Sequence, residues 1–346
     1  MKICFFGIYD PNYSRNSILL AGLREMGVEV VECRADSLDP KRYQKLWKSL
    51  RALNNEYDYI YAAYPSPVAT IIARIASKKS VVCDAFYSMY DSVVNDRREI
   101  KWWHPRAIKL LLLDWLAVML AHVVVTDTEA QRQYWSSWFL VNGAKIHTVY
   151  LGFNDKFFYP MSAVKKDYFL VYFYGTYIPV QGIDKIIEAA RICEDIPQIQ
   201  FRLIGAASDS EKVLKFTKKY KPKNIEFIGR VALSELNTYM APADLVLGIF
   251  GDIERGRRAI PNKVYDGLAA GKPVMTMEAY AVREVFSEQE VFFVKTNPES
   301  IASGIKKLFG DRSLLMSYAK NGYNAVSKYK PINIARLLIS VLSKHV

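Results

Sequence analysis

Ile260-Pro-Asn-Lys-Val-Tyr-Asp-Gly-Leu-Ala-Ala-Gly-Lys-Pro-Val-Met-Thr276 reads as a loop, a short helix and then a buried strand. Pro261 suits a first helical turn, where its missing N–H costs nothing. Val264, Leu268 and Ala269 recur at helical spacing, Gly271 is placed to end the helix, and Pro273 to Thr276 reads as the strand that follows. A helix N-terminus at the edge of an α/β sheet presents free backbone N–H groups and partial positive charge, which suits phosphate, and Lys263 adds a full charge. Asn262 and Lys263 would then face one crevice, and Asp266, one turn on, can accept hydrogen bonds from a sugar diol. A nucleotide diphosphate needs that combination. An ordinary αβ unit with a glycine cap fits the same pattern.

Outward from this segment the chain alternates strand and helix. In the first half, strands are read at Lys2–Gly7, Val28–Cys33, Tyr57–Ala63, Ser80–Asp84 and His122–Thr126. The helices between them are Arg15–Met26, Lys41–Asn54, Pro67–Ser77 and Pro105–Leu120. Ile108 to Val125 is almost wholly apolar, yet it contains Asp114 and His122 and divides into a helix and a strand, so it reads as a buried helix–strand unit and not a membrane span. The alternation restarts at Phe169–Tyr174. It continues through helix Ile183–Cys193, strand Gln200–Ile204, helix Ser210–Lys219, strand Asn224–Ile228, helix Ser234–Met240 and strand Leu245–Ile249. After the Asp266 helix come strand Val291–Val294 and helices Pro298–Leu308, Ser313–Lys328 and Asn333–Lys344. Such alternation implies parallel sheets covered by helices, with ligands outside the carboxyl ends of the strands.

The Asp266 segment resembles the nucleotide-sugar site of the retaining glycosyltransferases of family 4, and the resemblance runs over most of the chain. It implies an α/β architecture of the GT-B type: two Rossmann-like domains, with parallel sheets, facing each other across a cleft. Residues 1–160 would be the acceptor-binding domain and 161–330 the nucleotide-sugar domain, with 331–346 a last helix crossing back to the first. In that family a glutamate stands at the Asp266 position and contacts the donor ribose, ahead of a segment like Ala270-Gly-Lys-Pro-Val274. Gly175-Thr-Tyr-Ile-Pro-Val-Gln-Gly182 occupies the place of the family's Gly-Arg-x-x-x-x-Lys-Gly loop, but Thr176 and Gln181 replace the two cations that bind the donor diphosphate. The family's other, more N-terminal glutamate falls at Arg258. Glu254-Arg-Gly-Arg-Arg258 and Lys263 supply four cations in nine positions, so Arg257, Arg258 and Lys263 are expected to hold the diphosphate, with a solvated basic loop as the alternative. Gly205-Ala-Ala-Ser208 and Gly229-Arg-Val231, Arg230 included, match the family's places beside the donor nucleotide.

In the first domain, Asp10-Pro-Asn-Tyr-Ser-Arg-Asn16 follows the first strand where the family has a loop that approaches the donor. It offers Arg15 and Asn16 as contacts. Asp84-Ala-Phe-Tyr-Ser-Met-Tyr-Asp-Ser-Val-Val-Asn-Asp-Arg97 sets carboxylates among aromatic rings, which suits a sugar or sugar-lipid acceptor. Asp84 and Tyr87 are the candidate contacts, and Asp91 would orient the acceptor hydroxyl. A structural reading, with Asp84 capping a turn and Asp96 paired to Arg97, stands beside it. His104, His122 and His147 read as packing or capping residues.

No Asp-x-Asp occurs and the four histidines are isolated, so no metal site and no cofactor beyond a UDP- or GDP-sugar donor is expected. The scattered cysteines and the strand that begins at Lys2 suggest a reduced, cytoplasmic protein without a signal peptide. At 346 residues with 51% hydrophobic composition, two cores are affordable. Net charge is +12 without a nucleic-acid motif. The basic helix with Lys41, Arg42, Lys45, Lys48 and Arg51, and tryptophans such as Trp47 and Trp102, point to an anionic membrane surface. The function that fits is sugar transfer to a glycan or lipid-linked hydroxyl with retention of configuration. A non-catalytic partner subunit and a nucleotide-sugar epimerase remain the alternatives.

Overall fold

A computed structural model describes residues 1–162, 166–205 and 222–345. The expected helix Ser210–Lys219 and the segment Ala206–Ser208 lie outside the described residues. The chain forms two compact units, one made of Met1–Gly152 with Tyr329–Val346 and the other of Phe153–Lys328. The division falls at Gly152–Phe153 and not at Pro160, because the segment after β6 already packs with the second unit: the Tyr159 carbonyl accepts from the Asn237 amide at 3.0 Å.

In the first unit, strands β1 (Lys2–Gly7), β2 (Glu29–Arg34), β3 (Tyr59–Ala62), β4 (Ser80–Asp84), β5 (Val123–Thr126) and β6 (Ile146–Thr148) form one parallel sheet in the order β2-β1-β3-β4-β5-β6. Apolar side chains from β1, β3 and β4 meet the helices Arg42–Ala52 and Pro67–Ala76 in one core, and Cys83 and Val124 meet Pro105–Leu120 and Glu129–Trp138 in another. The last helix, Pro331–Leu342, belongs to this unit and packs on Ser14–Glu25. Two of the histidines are used structurally: the His104 ring accepts from the Arg106 N–H at 3.1 Å and His122 Nδ1 from the Val81 N–H at 3.0 Å.

In the second unit β7 (Phe169–Tyr174), β8 (Ile199–Ile204), β9 (Ile225–Ile228), β10 (Leu245–Leu247), β11 (Val274–Met277) and β12 (Phe292–Val294) run parallel in the order β12-β11-β10-β7-β8-β9. Counted within the unit, this is the doubly wound order of a Rossmann sheet, and the chain reverses direction between β7 and β10. The carboxyl ends of those two strands form the crevice where such sheets take ligands. Chain direction decides what faces it: β10 and β11 are parallel, so the helix Asn262–Ala269, which joins them, begins at that end. The sequence thus places its most informative segment at the switch point.

Candidate functional site

The crevice is built by two loops that hold each other. After β7 the chain runs through Gly175 to Gly182, and after β10 through Gly248 to Gly251. The Phe250 N–H donates to the Gln181 carbonyl and the Gly251 N–H to that of Val180, both at 3.1 Å. Gly182 has φ +66°, and a Cβ there would lie 2.5 Å from the Phe250 carbonyl carbon, so only glycine permits this contact. At the end of β8, Gly205 has φ +148°, and a Cβ would sit 2.0 Å from the Gly175 carbonyl oxygen. Both glycines therefore serve the shape of the loop.

The helix Asn262–Ala269 starts one residue later than expected. Pro261 is its N-cap, in extended conformation (φ −63°, ψ 139°), a φ that the ring imposes. No side chain caps this N-terminus and its first turn holds no acid, which keeps the helix end electropositive. Lys263 projects from that turn into the protein, where it is buried, and its Nζ donates to Gln181 Oε1 at 2.6 Å. The ammonium lies 4.9 Å from the Phe173 ring centre and 5.3 Å from that of Tyr174. One turn on, Asp266 accepts from the Tyr174 hydroxyl. Gln181, which stands where the resemblance places a lysine, thus holds another lysine.

Burial sets the electrostatics of this group. It pushes Lys263 down to about 7, against the pull of Asp266. The same burial pushes Asp266 up to about 7, with the Tyr174 hydrogen bond and Lys263 acting the other way. The Lys263 charge is held at a desolvation cost that a bound anion would offset. Beside them lies a cavity of about 200 Å³ lined by Tyr174, Gly175, Thr176, Ile204, Gly205, Arg230, Val231 and Leu236. Its wall is mostly apolar, with Arg230 as its charged member, which suits the flat face of a nucleobase.

The expected cations divide. The segment Glu254–Arg257 is a short helix and not a loop, and it turns Arg257 outward, where it pairs with Asp252 at 2.8 Å. Of the three expected diphosphate cations, Arg257 is thus the one paired at the surface. Arg258 follows the helix and is buried, near enough to the Tyr280 hydroxyl to act on it electrostatically.

The acceptor-side residues of the first unit are drawn into its interior. Arg15 is buried in the helix Ser14–Glu25, where its Nε donates to Asp84 at 3.1 Å and its Nη1 to the Val149 carbonyl at 2.6 Å. Asp84 accepts in addition from the Tyr61 hydroxyl at 2.7 Å. Asn16 is buried, and its amide donates to the carbonyls of Asp10 and Tyr64, both at 3.0 Å. These three residues tie β1, β3 and β4 to the loops that follow them, so the expectation that Arg15, Asn16 and Asp84 contact the acceptor is corrected: a charged pair sealed among strands is a structural pair. Asp91 is buried at the start of a π-helical turn, Asp91–Asp96, and accepts from the Asn95 amide at 2.7 Å. Arg97 reaches Glu99 at 3.4 Å. Tyr87 remains in an aromatic cluster, 4.7 Å from the Tyr64 ring and 5.3 Å from Phe86.

Residues 156–325 match the family model "Glycosyl transferases group 1". They form a group 1 glycosyltransferase domain. Solved structures agree on the fold: HepE of Anabaena, in complex with UDP and glucose, is 17% identical with TM-score 0.75, over 99% of this chain and 100% of that one. Sucrose-phosphate synthase of Thermosynechococcus elongatus is 15% identical with TM-score 0.79, over 99% of this chain and 98% of that one. The fold of both units is accordingly GT-B. Among curated relatives, an uncharacterized glycosyltransferase of Methanocaldococcus jannaschii is 25% identical over 183 residues, 52% of this chain and 48% of the relative. A probable glycosyltransferase of Pseudomonas aeruginosa, WbjE, is 27% identical over 110 residues, 30% of this chain and 26% of the relative. The chain spans less than half the length of the curated relatives it matches.

Two residues of the candidate site escape a reading of motifs. Tyr174 orients Asp266, and Phe173 supplies the ring next to Lys263. Their signal was position alone: they are the last two residues of the strand that precedes Gly175.

Proposed function

We propose that the protein transfers a sugar from a UDP- or GDP-sugar to a hydroxyl of a glycan or lipid-linked acceptor. The observation that carries this reading is the buried Lys263 ammonium, held by Gln181 at the electropositive start of the Asn262–Ala269 helix, beside Asp266. The nucleobase enters the cavity at Arg230, the ribose diol donates to Asp266, and the diphosphate lies along the helix N-terminus at Asn262 and Lys263. Gly175 and Thr176 close over it through their backbone. The structural neighbour solved with UDP and glucose supports a uridine nucleotide.

As the bond from the anomeric carbon to the diphosphate oxygen breaks, negative charge collects on the departing diphosphate. Lys263 and Arg258 take up that charge without a metal ion, and the fixed N–H dipoles of the helix need no reorganisation to assist. The acceptor hydroxyl attacks from the same face, so configuration is retained. Its proton passes to the leaving phosphate oxygen. The reaction takes place in the cytoplasm, at its membrane surface when the acceptor is a lipid.

The direct test is transfer or donor hydrolysis by the purified chain, after nucleoside diphosphates have been screened for thermal stabilisation. Chelator should leave the rate unchanged. Stabilisation by none of them, with no turnover, would favour a non-catalytic partner subunit. A hydrogen bond to a charged group contributes roughly 1.5–3 kcal/mol, so Asp266→Ala should weaken nucleotide binding by about ten- to a hundredfold. Calorimetry that finds an unchanged affinity removes Asp266 from the ribose.

A further inference from the structure

The helix Pro105–Leu120 has its packing inverted. Its inward face carries Ala107, Asp114, Ala117 and Val118, all buried, whereas its outward face carries Ile108, Leu112, Trp115, Leu116 and Met119. Leu112 is 52% and Ile108 49% exposed. The division of Ile108–Val125 into helix and strand is as the sequence implies, but the expected burial of the helix holds for one face only. A helix that faces water normally turns polar residues outward. Just before it, Trp102 is 67% exposed and lies edge-on to Trp103, with ring centres 5.5 Å apart.

Charge decides what such a face meets. Lys101, Arg106 and Lys109 are exposed at the same end as the tryptophans. The one acid of the helix, Asp114, is turned inward, where it accepts from the Ser88 hydroxyl at 2.7 Å and the Tyr90 N–H at 2.9 Å. A second copy of the chain would bring the same cations and no carboxylate from this helix. Acidic lipid headgroups bring the complementary charge, and tryptophan prefers that depth of the bilayer. At 1.5 Å per residue the helix is about 24 Å long, short of a hydrocarbon core of about 30 Å. No helix among the described residues is long and apolar enough to cross a membrane.

We propose that the outward face of Pro105–Leu120 docks in the plane of an anionic bilayer, with Ile108, Leu112, Trp115, Leu116 and Met119 below the headgroups. Lys101, Arg106 and Lys109 contact lipid phosphates. The proposal rests on the membrane partner in the functional reading above, but it moves the contact from the basic helix to this one. In Arg42–Ala52 each outward ring instead has a cation against it, Arg42 by Tyr43 at 4.8 Å and Arg51 by Trp47 at 6.0 Å.

Sedimentation with vesicles of phosphatidylcholine, with and without phosphatidylglycerol, tests it on the whole chain. The protein should bind the acidic vesicles, with a blue shift of tryptophan emission, and bind neutral ones weakly. Leu112→Glu/Leu116→Glu should lose on the order of a hundredfold in vesicle affinity, because two apolar side chains no longer leave water. Arg106→Glu/Lys109→Glu should lose its preference for acidic vesicles, while Lys48→Glu/Arg51→Glu should bind as the wild type does. Circular dichroism melts report whether each variant folds, and all six substituted positions are on the surface. Unchanged binding by Leu112→Glu/Leu116→Glu overturns the proposal. So does a wild type that binds neither vesicle but forms a dimer which the same double variant dissociates in sedimentation velocity. Hydrolysis of the donor in solution should survive Leu112→Glu/Leu116→Glu, so loss of docking and failure of the transferase reading are told apart.

Discussion

Replacing Lys263 by methionine should lower kcat/KM for donor turnover by about a hundred- to a thousandfold, the usual cost of removing one preorganised group that stabilises developing charge. The loss should be concentrated on the diphosphate. Affinity for the nucleoside diphosphate should fall, and affinity for the parent nucleoside should not. The wild-type protein should also show a pH dependence that the variant lacks. Burial lowers Lys263 to about 7, with Asp266 opposing that shift, so the ammonium is largely present below that pH and largely lost above it. Only the protonated form pairs with a diphosphate. Affinity should therefore decline as pH rises beyond about 7, by up to about tenfold per unit, and fall on the acid side as Asp266, also raised to about 7 by burial, loses its carboxylate. Titration calorimetry between pH 6 and 9 checks this. A flat profile for the wild type, or equal diphosphate affinities for the two proteins, would remove Lys263 from the site.

Asp84→Ala should destabilise the first unit by about 3–5 kcal/mol, because it leaves the Arg15 guanidinium buried without its carboxylate. The Tyr61 hydroxyl loses its acceptor at the same time. Asp84→Asn, which keeps an acceptor and the volume, should cost less. Arg15→Met/Asp84→Leu, which removes both charges from the core, should recover much of the stability lost in Asp84→Ala. Urea unfolding followed by tyrosine and tryptophan emission provides the measurement. Nucleotide affinity should stay within about twofold in every folded variant, since independent sites are nearly additive. A drop in acceptor turnover without any loss of stability would instead return Asp84 to the acceptor site.

Most elements were legible in the sequence. Ser80–Asp84, Pro105–Leu120 and Phe169–Tyr174 have the bounds that periodicity and punctuation imply. The helix Glu129–Trp138 was missed. Its capping signal is present, since the Thr128 hydroxyl accepts from the Gln131 N–H at 3.0 Å, but its sequence, Glu-Ala-Gln-Arg-Gln-Tyr-Trp-Ser-Ser-Trp, has few aliphatic residues to show a period. Glu254–Arg257 escaped because one helical turn is too short to display one. At the site, Gly175, Lys263 and Asp266 could be named from local pattern, whereas Tyr174 could not.

What the sequence determined by itself is therefore everything carried by neighbours along the chain: the alternation of strand and helix, two parallel sheets, and a phosphate-ready helix start at Asn262. Turn chemistry and hydrophobic period act over a few residues, and those are visible without a structure. Tertiary structure decided the partners. Arg15 and Asp84, 69 residues apart, meet in the core because β3 lies between β1 and β4 in the sheet. Gln181 and Lys263, 82 residues apart, meet because β7 and β10 are neighbours at the switch point. The same holds for which face of Pro105–Leu120 is buried: apolar residues lie on both faces of the helix, so composition could not choose, and the neighbouring core took the small side chains and left the large ones outside. Strand order brings distant residues together, and no local pattern encodes it.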